Sequence, residues 1–223
     1  MAGQAGDTKG RLVAATIETL RSRGIAGVSA RTIAAEAAVN QALIFYHFGS
    51  VDRLLAEACT TAAAERVAAY HERFAGVRSL RELLAVGREL HAAERDAGNV
   101  MVLAQVLAGA QRDPALAAAA GAALRLWTRE LEGVLDRVLA GTPLAEIADV
   151  PGLAHAVAAA FIGIELYEGA DPAAAGAALA ALDHLGALLD VLDGLGPLAT
   201  RAVNTALRRA RPARRPPTPG RAG

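Results

Sequence analysis

The sequence predicts an all-α protein. Alanine dominates a hydrophobic content of 53%, and alanine is the strongest helix former. Aromatic residues make up 4% of the chain, and the β-branched residues that favour strands are few. Glycine and proline occur at intervals between stretches of helical periodicity, so they mark the ends of helices.

Two helices are predicted at the start of the chain. The first covers residues 8–23, and Gly24 stands where a glycine commonly follows a helix. Ser29 is a suitable N-cap for a second helix over residues 30–37. The inward face of the first helix carries four apolar residues at near-helical spacing: Leu12, Ala15, Ile17 and Leu20.

A third, short helix and a long fourth helix follow. A tight connection at residues 38–39 leads to Asn40, which is predicted to cap the third helix, and this helix extends to about His47. Gly49 and Ser50 interrupt the pattern, and the fourth helix is predicted over residues 52–74.

The rest of the chain predicts a helical body. Capping residues or N-terminal prolines recur at Ser79, Asp113-Pro114, Pro151 and Asp171-Pro172. The remaining proline- and arginine-rich residues have nothing apolar to bury, so we expect them to be disordered. The predicted body helices cover residues 79–95, 98–111, 113–139, 151–168, 171–192 and 198–210.

Charge divides the chain into three parts. The formal net charge is zero, but seven arginines and no acid follow residue 200, which leaves residues 1–200 at −7. The first 53 residues have a slight basic excess, and a basic head on an acidic body suits nucleic-acid binding through one end. We expect a head over residues 1–52, a helical body over residues 53–210 and a disordered basic tail over residues 211–223.

Several classes of protein and site are disfavoured. Cys59 is the single cysteine, which fits a reducing cytoplasm, and the first residues lack the apolar segment of a signal peptide. The longest apolar run, residues 153–164, contains His155 and precedes Glu165, so we expect a buried helix and no membrane partner. Without metal-ligand spacing, a phosphate-binding glycine loop or a nucleophile elbow, we expect neither an enzyme nor a cofactor. One lysine against 22 arginines indicates a GC-rich bacterial genome.

The second and third helices form a predicted helix-turn-helix, whose third helix can lie in the major groove of DNA. Asn40 and Gln41 carry amides that can hydrogen-bond base edges or phosphates, and Ala42 can approach a thymine methyl. Tyr46 and His47 suit phosphate oxygens. The alternative is that residues 45–48 are an aromatic cluster that packs a small helical domain.

The run VSARTIAAEAAVNQALIFYHFGSVDRLLAEAC resembles the DNA-binding head of the TetR/AcrR family of bacterial transcriptional regulators. The shared pattern is an aliphatic-Ser/Thr pair, an Ile-Ala-x-x-Ala core, an aromatic-Tyr-His-Phe block and a Ser-x-acid-x-Leu-Leu start to the next helix. The resemblance covers about residues 10–60 and implies that Ile44 and Phe48 face the core. It implies base or phosphate contacts by Ser29, Arg31, Asn40, Gln41, Ala42, Leu43, Phe45, Tyr46 and His47.

Two positions depart from the family pattern. The family commonly has glycine where Ala38 stands, so a left-handed backbone would be strained there or replaced by another turn. It commonly has a phosphate-binding lysine where Val51 stands. Ser50, Arg53 and the backbone N–H groups at that helix start are possible substitutes.

The resemblance implies a homodimer on a palindromic operator, with the last two long helices packed across the two-fold axis. Their strongly apolar character agrees with this role, although they can also be internal to one subunit. The predicted interface residues are Val157, Phe161, Ile164, Leu182, Leu185 and Leu189.

The resemblance also implies a small-molecule effector that binds in the body. The candidates are the rarer large or polar residues of apolar helices, and for each of them core packing or a solvated position is the alternative. Glu165 can select a cationic or hydroxyl-bearing ligand, or it can pair with an arginine. The predicted lining residues are His91, Met101, Gln105, Trp127, Phe161, Glu165 and Tyr167.

We therefore expect a helix-turn-helix head joined by a long helix to a ligand-binding and dimerisation body. The expected protein is a cytoplasmic repressor of the TetR type that releases double-stranded operator DNA when an effector binds. The alternatives are an activator of the same family, an effector-binding protein with a degenerate head, and a helical enzyme or scaffold.

Overall fold

A computed structural model describes residues 2–140, 142–146, 148–193 and 205, and these residues form no strand, so the predicted all-α class is confirmed. Short 3₁₀ turns lie at Ile25–Gly27 and Pro143–Glu146. The head helices are α1 (Ala2–Arg23), α2 (Ala30–Glu36) and α3 (Ala42–Phe48). The following helices are α4 (Val51–Gly76), α5 (Leu80–Asp96), α6 (Asn99–Ala110), α7 (Pro114–Leu139), α8 (Val150–Glu168) and α9 (Pro172–Asp193). The predicted last helix and the basic tail lie outside the described residues, apart from residue 205.

Side-chain caps fix most of these helix starts. The Ser29 hydroxyl accepts a hydrogen bond from the Thr32 N–H. The Thr32 hydroxyl in turn accepts a hydrogen bond from the Ser29 N–H, and the two bonds form a capping box. Ser79 caps α5 in a similar way, and Asp113 accepts from two N–H groups at the start of α7. These three predicted caps are confirmed.

The N-cap of α3 lies one residue later than predicted. The Asn40 carboxamide oxygen accepts a hydrogen bond from the Ala42 N–H at 2.9 Å, so Asn40 closes a local turn ahead of the helix. Gln41 occupies the N-cap position and makes no side-chain cap bond.

The head has its own apolar core, formed where α1, α2, α3 and the start of α4 meet. Leu12, Ile33, Ile44 and Leu54 are fully buried in it, and Phe48 closes one side. This core confirms the expected inward positions of Ile44 and Phe48. Because the core holds α2 and α3 on one side only, their other sides face outward.

A second apolar cluster joins the head to the body. We call it the junction cluster; its buried members are Leu20, Leu55, Val106, Leu116 and Ala120. Polar contacts reinforce it, because the Gln105 side-chain oxygen accepts from the Ile25 N–H at 2.7 Å and Arg21 donates to the Asn99 side-chain oxygen at 3.1 Å. Helix α6 therefore holds the end of α1 directly.

Helix α8 is apolar but largely unburied. Its sequence is long and apolar enough to cross a membrane, yet 11% of its most apolar window is buried. Ala154 and Glu165 are its buried residues among those described. The expectation of a buried helix is thus wrong for the described part of the single chain, in which no residue covers the outer side of α8.

The turn between α2 and α3 contains a strained residue. Ala38 has φ 51°, a left-handed conformation that costs an L-residue with a Cβ roughly 1–2 kcal/mol. Arg11 donates to the carbonyls of Ala37 and Ala38 at 2.5 and 3.2 Å and so secures this turn from α1. The left-handed backbone is therefore retained despite the missing glycine.

Replacing Ala38 by glycine relieves this strain. We expect Ala38→Gly to stabilise the protein by about 0.5–1 kcal/mol, because the lost strain exceeds the entropy that glycine adds to the unfolded chain. The matched control is Ala35→Gly at an exposed helical position, which should cost about 1 kcal/mol. Urea titration measures both, and equal destabilisation by the two glycines would contradict the strain at Ala38.

Candidate nucleic-acid interface and body cavity

Helix α3 presents large aromatic side chains to solvent. Phe45 is 51% exposed and Tyr46 is 80% exposed, whereas Ile44 and Phe48 on the other side are buried in the head core. The His47 ring meets Tyr46 edge-on, with ring centroids 4.9 Å apart. Phe45 and Tyr46 therefore do not pack the head, which removes the alternative of a purely structural aromatic cluster.

The other predicted contact residues surround α3 at three helix starts. Ser29 and Arg31 lie at the start of α2, and both are exposed. Asn40, Gln41 and Ala42 are exposed at the start of α3. Leu43 differs from its neighbours because it is half-buried and packs against the head core.

The start of α4 shows how the chain manages without the family's lysine. Val51 is half-buried and packs against the head core, so its position serves the fold. The Ser50 hydroxyl accepts from the Arg53 N–H at 3.1 Å, which makes it the N-cap of α4 while its own proton remains able to donate. The Arg53 side chain is exposed beside it.

The body contains a cavity of about 850 Å³ that is partly open to solvent. Its walls are largely apolar and come from α4 to α9, with further residues of α1. Four of the seven predicted pocket residues line it: His91, Trp127, Phe161 and Glu165.

The other three predicted pocket residues lie elsewhere. Met101 and Tyr167 are 61% and 60% exposed on outer surfaces, and Gln105 is bonded to Ile25 in the junction. The residue type alone does not show on which side of an apolar helix a large or polar side chain lies. The prediction from sequence therefore included these three residues with the four that line the cavity.

The predicted interface residues also take different positions. Val157, Phe161, Ile164 and Leu182 line the cavity of their own chain, so the side of α8 and α9 assigned to a subunit interface is the inner side. The side chains of Leu185 and Leu189 lie outside the described residues. Apolar residues cover α8 on all sides, so hydrophobicity could not distinguish inner from outer.

A polar cluster that the sequence did not predict lies at one wall of the cavity. The Nε2 of His91 is 2.6 Å from the Glu168 carboxylate, which also accepts from Arg95 at 2.9 Å. Glu165 is 4% exposed, and its Oε1 lies 3.6 Å from His91 Nδ1. Among the described side chains no group of three His, Cys, Asp or Glu residues is arranged to hold a metal ion.

A second polar group links this wall to the head. Glu94 is buried, forms an ion pair with Arg66 and accepts from the Asn99 amide at 2.7 Å. Asn99 in turn accepts from Arg21, the α1 residue already described at the junction. The sequence offered no periodic signal for this group, because its members come from four helices.

Burial raises the pKa of two side chains, Glu165 at the cavity wall and Cys59 beside the junction cluster. Burial, with a further contribution from the negative charges of Glu94 and Glu168, raises the pKa of Glu165 to about 7. Burial opposes ionisation of Glu168 as well, but hydrogen bonds from Arg95 and His91 outweigh it and lower its pKa. Burial raises the pKa of Cys59, beside the junction cluster, to about 11.

Comparison with known proteins gives the family of the head. Residues 12–58 match the family described as bacterial regulatory proteins, tetR family. The head of the chain belongs to the TetR family. The all-helical architecture of the described residues is similar to that of a solved transcriptional regulator. No curated protein sequence is significantly similar to it.

Solved structures extend the likeness beyond the head. A transcriptional regulator from Rhodococcus sp. Rha1 is 26% identical over 84% of this chain and 99% of its own, with a TM-score of 0.64. The multidrug binding protein EbrR complexed with proflavin is 28% identical over 80% of this chain and 99% of its own, with a TM-score of 0.57. A TetR transcription regulator from Haloarcula marismortui ATCC 43049 shares the fold at 15% identity, covering 82% of this chain and 98% of its own, with a TM-score of 0.64.

The raised pKa of Glu165 predicts a specific pH dependence of stability. The native chain binds the Glu165 proton more tightly than the unfolded chain, so stability falls as pH rises from about 4.5 to about 7. Glu165→Gln removes this loss. We expect its stability relative to the unmodified protein to rise by up to about 3 kcal/mol between about pH 5 and about pH 8.

Denaturant titrations at the two pH values measure this difference. The control is Glu65→Gln, which removes an exposed carboxylate that also lines the cavity. A stability difference for Glu165→Gln that is the same at both pH values would contradict the raised pKa.

Proposed function

We propose that this TetR-family protein is a dimeric cytoplasmic repressor that binds a palindromic DNA operator through α3. A small molecule in the body cavity releases the operator. The protein acts without a cofactor and catalyses no reaction.

The exposure of α3 carries the DNA-binding part of this proposal. A short helix that buries Ile44 and Phe48 on one side and exposes Phe45 and Tyr46 on the other is held firmly, with its outer side free. Exposed aromatic groups of this size are unusual on a surface that meets only water. Gln41 and Ala42 project from the same outer surface at the start of the helix, where base edges can be read.

Groups at the starts of the neighbouring helices supply the phosphate contacts. Arg31 on α2 and Arg53 on α4 are exposed cations on either side of α3. The hydroxyls of Ser29 and Ser50 can donate to phosphate oxygens while they accept their capping bonds. Arg53 thereby replaces the lysine that the family commonly has at the position of Val51.

The outer side of α8 and α9 supports a homodimer. On α8 this side consists of small residues with Leu166 and Tyr167 at one end, and on α9 it is again small. Small side chains let helices of two subunits approach closely, and the unburied apolar area of α8 is then removed from water. The exposed small residues of this side include Ala156, Ala159, Gly163, Ala173, Gly176, Ala177, Ala180 and Ala181.

Helices α4 and α6 connect the cavity to the head, so a ligand that fills the cavity can change how they hold the head. Val102 and Val106 of α6 line the cavity, and Gln105 of the same helix holds Ile25 of the head. A ligand that displaces α6 or α4 therefore changes how the head is held and the separation of two heads in a dimer. Ligand and DNA then weaken each other's binding by the same factor. The related fold of EbrR holds proflavin, which supports an organic ligand here.

Selection from a random DNA library with the full chain tests the reading of DNA. We expect an inverted repeat, with half-sites about one helical turn apart. Gln41→Ala should relax the preference at one base pair by about 1–3 kcal/mol, because it removes an amide that can contact a base edge. Arg53→Ala should weaken binding to all sequences and reduce the slope of log affinity against log salt by about one.

The matched control is Arg129→Ala, an exposed arginine on α7 of the body, which should leave affinity and salt slope unchanged. If the library yields no preferred sequence at low salt, the head does not read DNA, and the effector-binding alternative with a degenerate head replaces the repressor.

Gly163→Arg tests the interface on α8. A Cβ at Gly163 meets no atom within 4 Å, so the longer side chain fits the single chain and stands in the proposed interface. We expect a monomer that is folded, since replacing a helical glycine stabilises the helix by about 0.8 kcal/mol. Sedimentation velocity gives the mass and circular dichroism gives the fold.

Gly76→Arg on α4 is the control, because a Cβ there also meets no atom within 4 Å. This control should sediment as a dimer. A dimeric Gly163→Arg protein would place the subunit contact elsewhere.

A further inference from the structure

Two buried side chains at the cavity wall have polar atoms without a partner. Glu165 lines the cavity, is 4% exposed and accepts no hydrogen bond from any described residue. The Nδ1 of His91 is buried and also has no hydrogen-bond partner among the described residues. The 3.6 Å between the two groups is too long for a hydrogen bond.

Both groups can act as hydrogen-bond acceptors. The Glu168 carboxylate accepts from Arg95 and lies 2.6 Å from His91 Nε2, so in the neutral form of the ring Nε2 carries the proton and Nδ1 has a free lone pair. An ionised Glu165 offers only acceptors. Beside a neutral His91 ring, the wall therefore presents two acceptors side by side.

The cations near this wall already have partners. Arg66 is paired with Glu94, Arg95 with Glu168, and Arg88 donates to the Leu179 carbonyl at 2.8 Å. None of these arginines is paired with Glu165, so no described arginine compensates its negative charge. A buried charge without a counter-charge is costly, and a ligand that supplies one gains the most by binding there.

The remaining wall is apolar and includes aromatic rings. Phe161 meets His91 edge-on with ring centroids 6.0 Å apart, and Trp127 and Phe74 line the cavity further in. A ligand that fills this space has a flat or bulky apolar body, with its polar group at one end.

We propose that the cavity binds an organic cation whose protonated nitrogen carries at least two N–H bonds, attached to an aromatic or otherwise apolar body. One N–H donates to the Glu165 carboxylate and another to His91 Nδ1. Anions are repelled by Glu165, and neutral ligands leave its charge uncompensated. The proposal depends on the proposed function only in naming this cation as the effector.

A matched series of naphthalene compounds tests the charge and the donors separately. Naphthalene-2-carboxamidine is a cation with N–H donors, the carboxamide is its neutral analogue, the carboxylate is an anion, and a naphthylmethyl trimethylammonium is a cation without donors. Calorimetric titration of the full-length protein should give at least about tenfold tighter binding of the amidine than of the other three. Equal binding of the amidine and the carboxamide, or of the amidine and the trimethylammonium, overturns the proposal.

Variants place the effect at Glu165. Glu165→Gln should weaken amidine binding at least about tenfold and leave carboxamide binding within about twofold. Glu72→Gln, at an exposed carboxylate of α4 that does not line the cavity, should change neither. Unchanged amidine binding in Glu165→Gln, or an equal loss in both variants, overturns the proposal.

A pH series on the unmodified protein gives a second readout that needs no substitution. The charged and titratable groups around Glu165 are His91, Glu94 and Arg95 of α5, Glu168 of α8 and Arg66 of α4. Because the pKa of Glu165 is about 7, amidine affinity should rise about tenfold from about pH 6 to about pH 8. A flat profile contradicts a role for the ionised carboxylate.

Failure of this inference differs from failure of the proposed function. If the amidine binds through Glu165 and the protein selects no DNA, the ligand class stands and the repressor does not. If a selected operator is released by a ligand that binds Glu165→Gln as tightly as the unmodified protein, the repressor stands and the ligand class does not.

Discussion

Helix α4 contributes side chains to each of the three apolar clusters that the described residues form, and this shared membership constrains the rest of the structure. Leu54 belongs to the head core and Leu55 to the junction cluster. Tyr70 and Phe74 belong to a third cluster in the body, where they pack with residues of α7 such as Val134 and Leu135. Close-packed interiors tolerate small displacements poorly, so a rigid helix cannot shift in one core without disturbing the others. The orientation of α3 on the surface is therefore tied to the packing of Tyr70 and Phe74 at the other end of α4. The interior of the body thus helps to determine how the head is held.

The body places its ionisable groups where an ordinary core would have none. An acid as deeply buried as Glu165 lowers the stability of the chain when ionised, and a hydrophobic residue there would pack at lower cost. Glu94 differs because Arg66 and Asn99 satisfy it, and through Asn99 it is connected to Arg21 of the head. Glu94 thus belongs to the polar contacts that join head and body, whereas Glu165 lines the cavity, where a ligand can contact it. Departures from local packing rules of this kind concentrate at functional positions.

The sequence predicts the helices and the head well because these depend on local signals. Ser29, Ser79 and Asp113 cap the helices that follow them, and the pattern around Ile44 and Phe48 gives the buried side of α3. The sequence predicts the start of α3 too early, because an asparagine such as Asn40 can either cap a helix or close a turn. In the folded chain Asn40 closes a turn. Four of the seven proposed pocket residues line the cavity, and the other three lie elsewhere for a different reason. Helix α8 is apolar on all sides, so its periodicity carried no information about which side faces the cavity, and the polar wall combines residues far apart in sequence.

The reactivity of Cys59 depends on how closely the head and the body pack at the junction cluster. Cys59 is the one thiol in the sequence, it lies beside the junction cluster, and burial keeps it protonated at physiological pH because its pKa is raised to about 11. A thiol reagent reacts with the thiolate, so modification is slow while the junction is closed and accelerates when Cys59 becomes solvated. The kinetics of alkylation at this single native atom therefore follow the opening of the junction, with no engineered label and no change to the surface around α3.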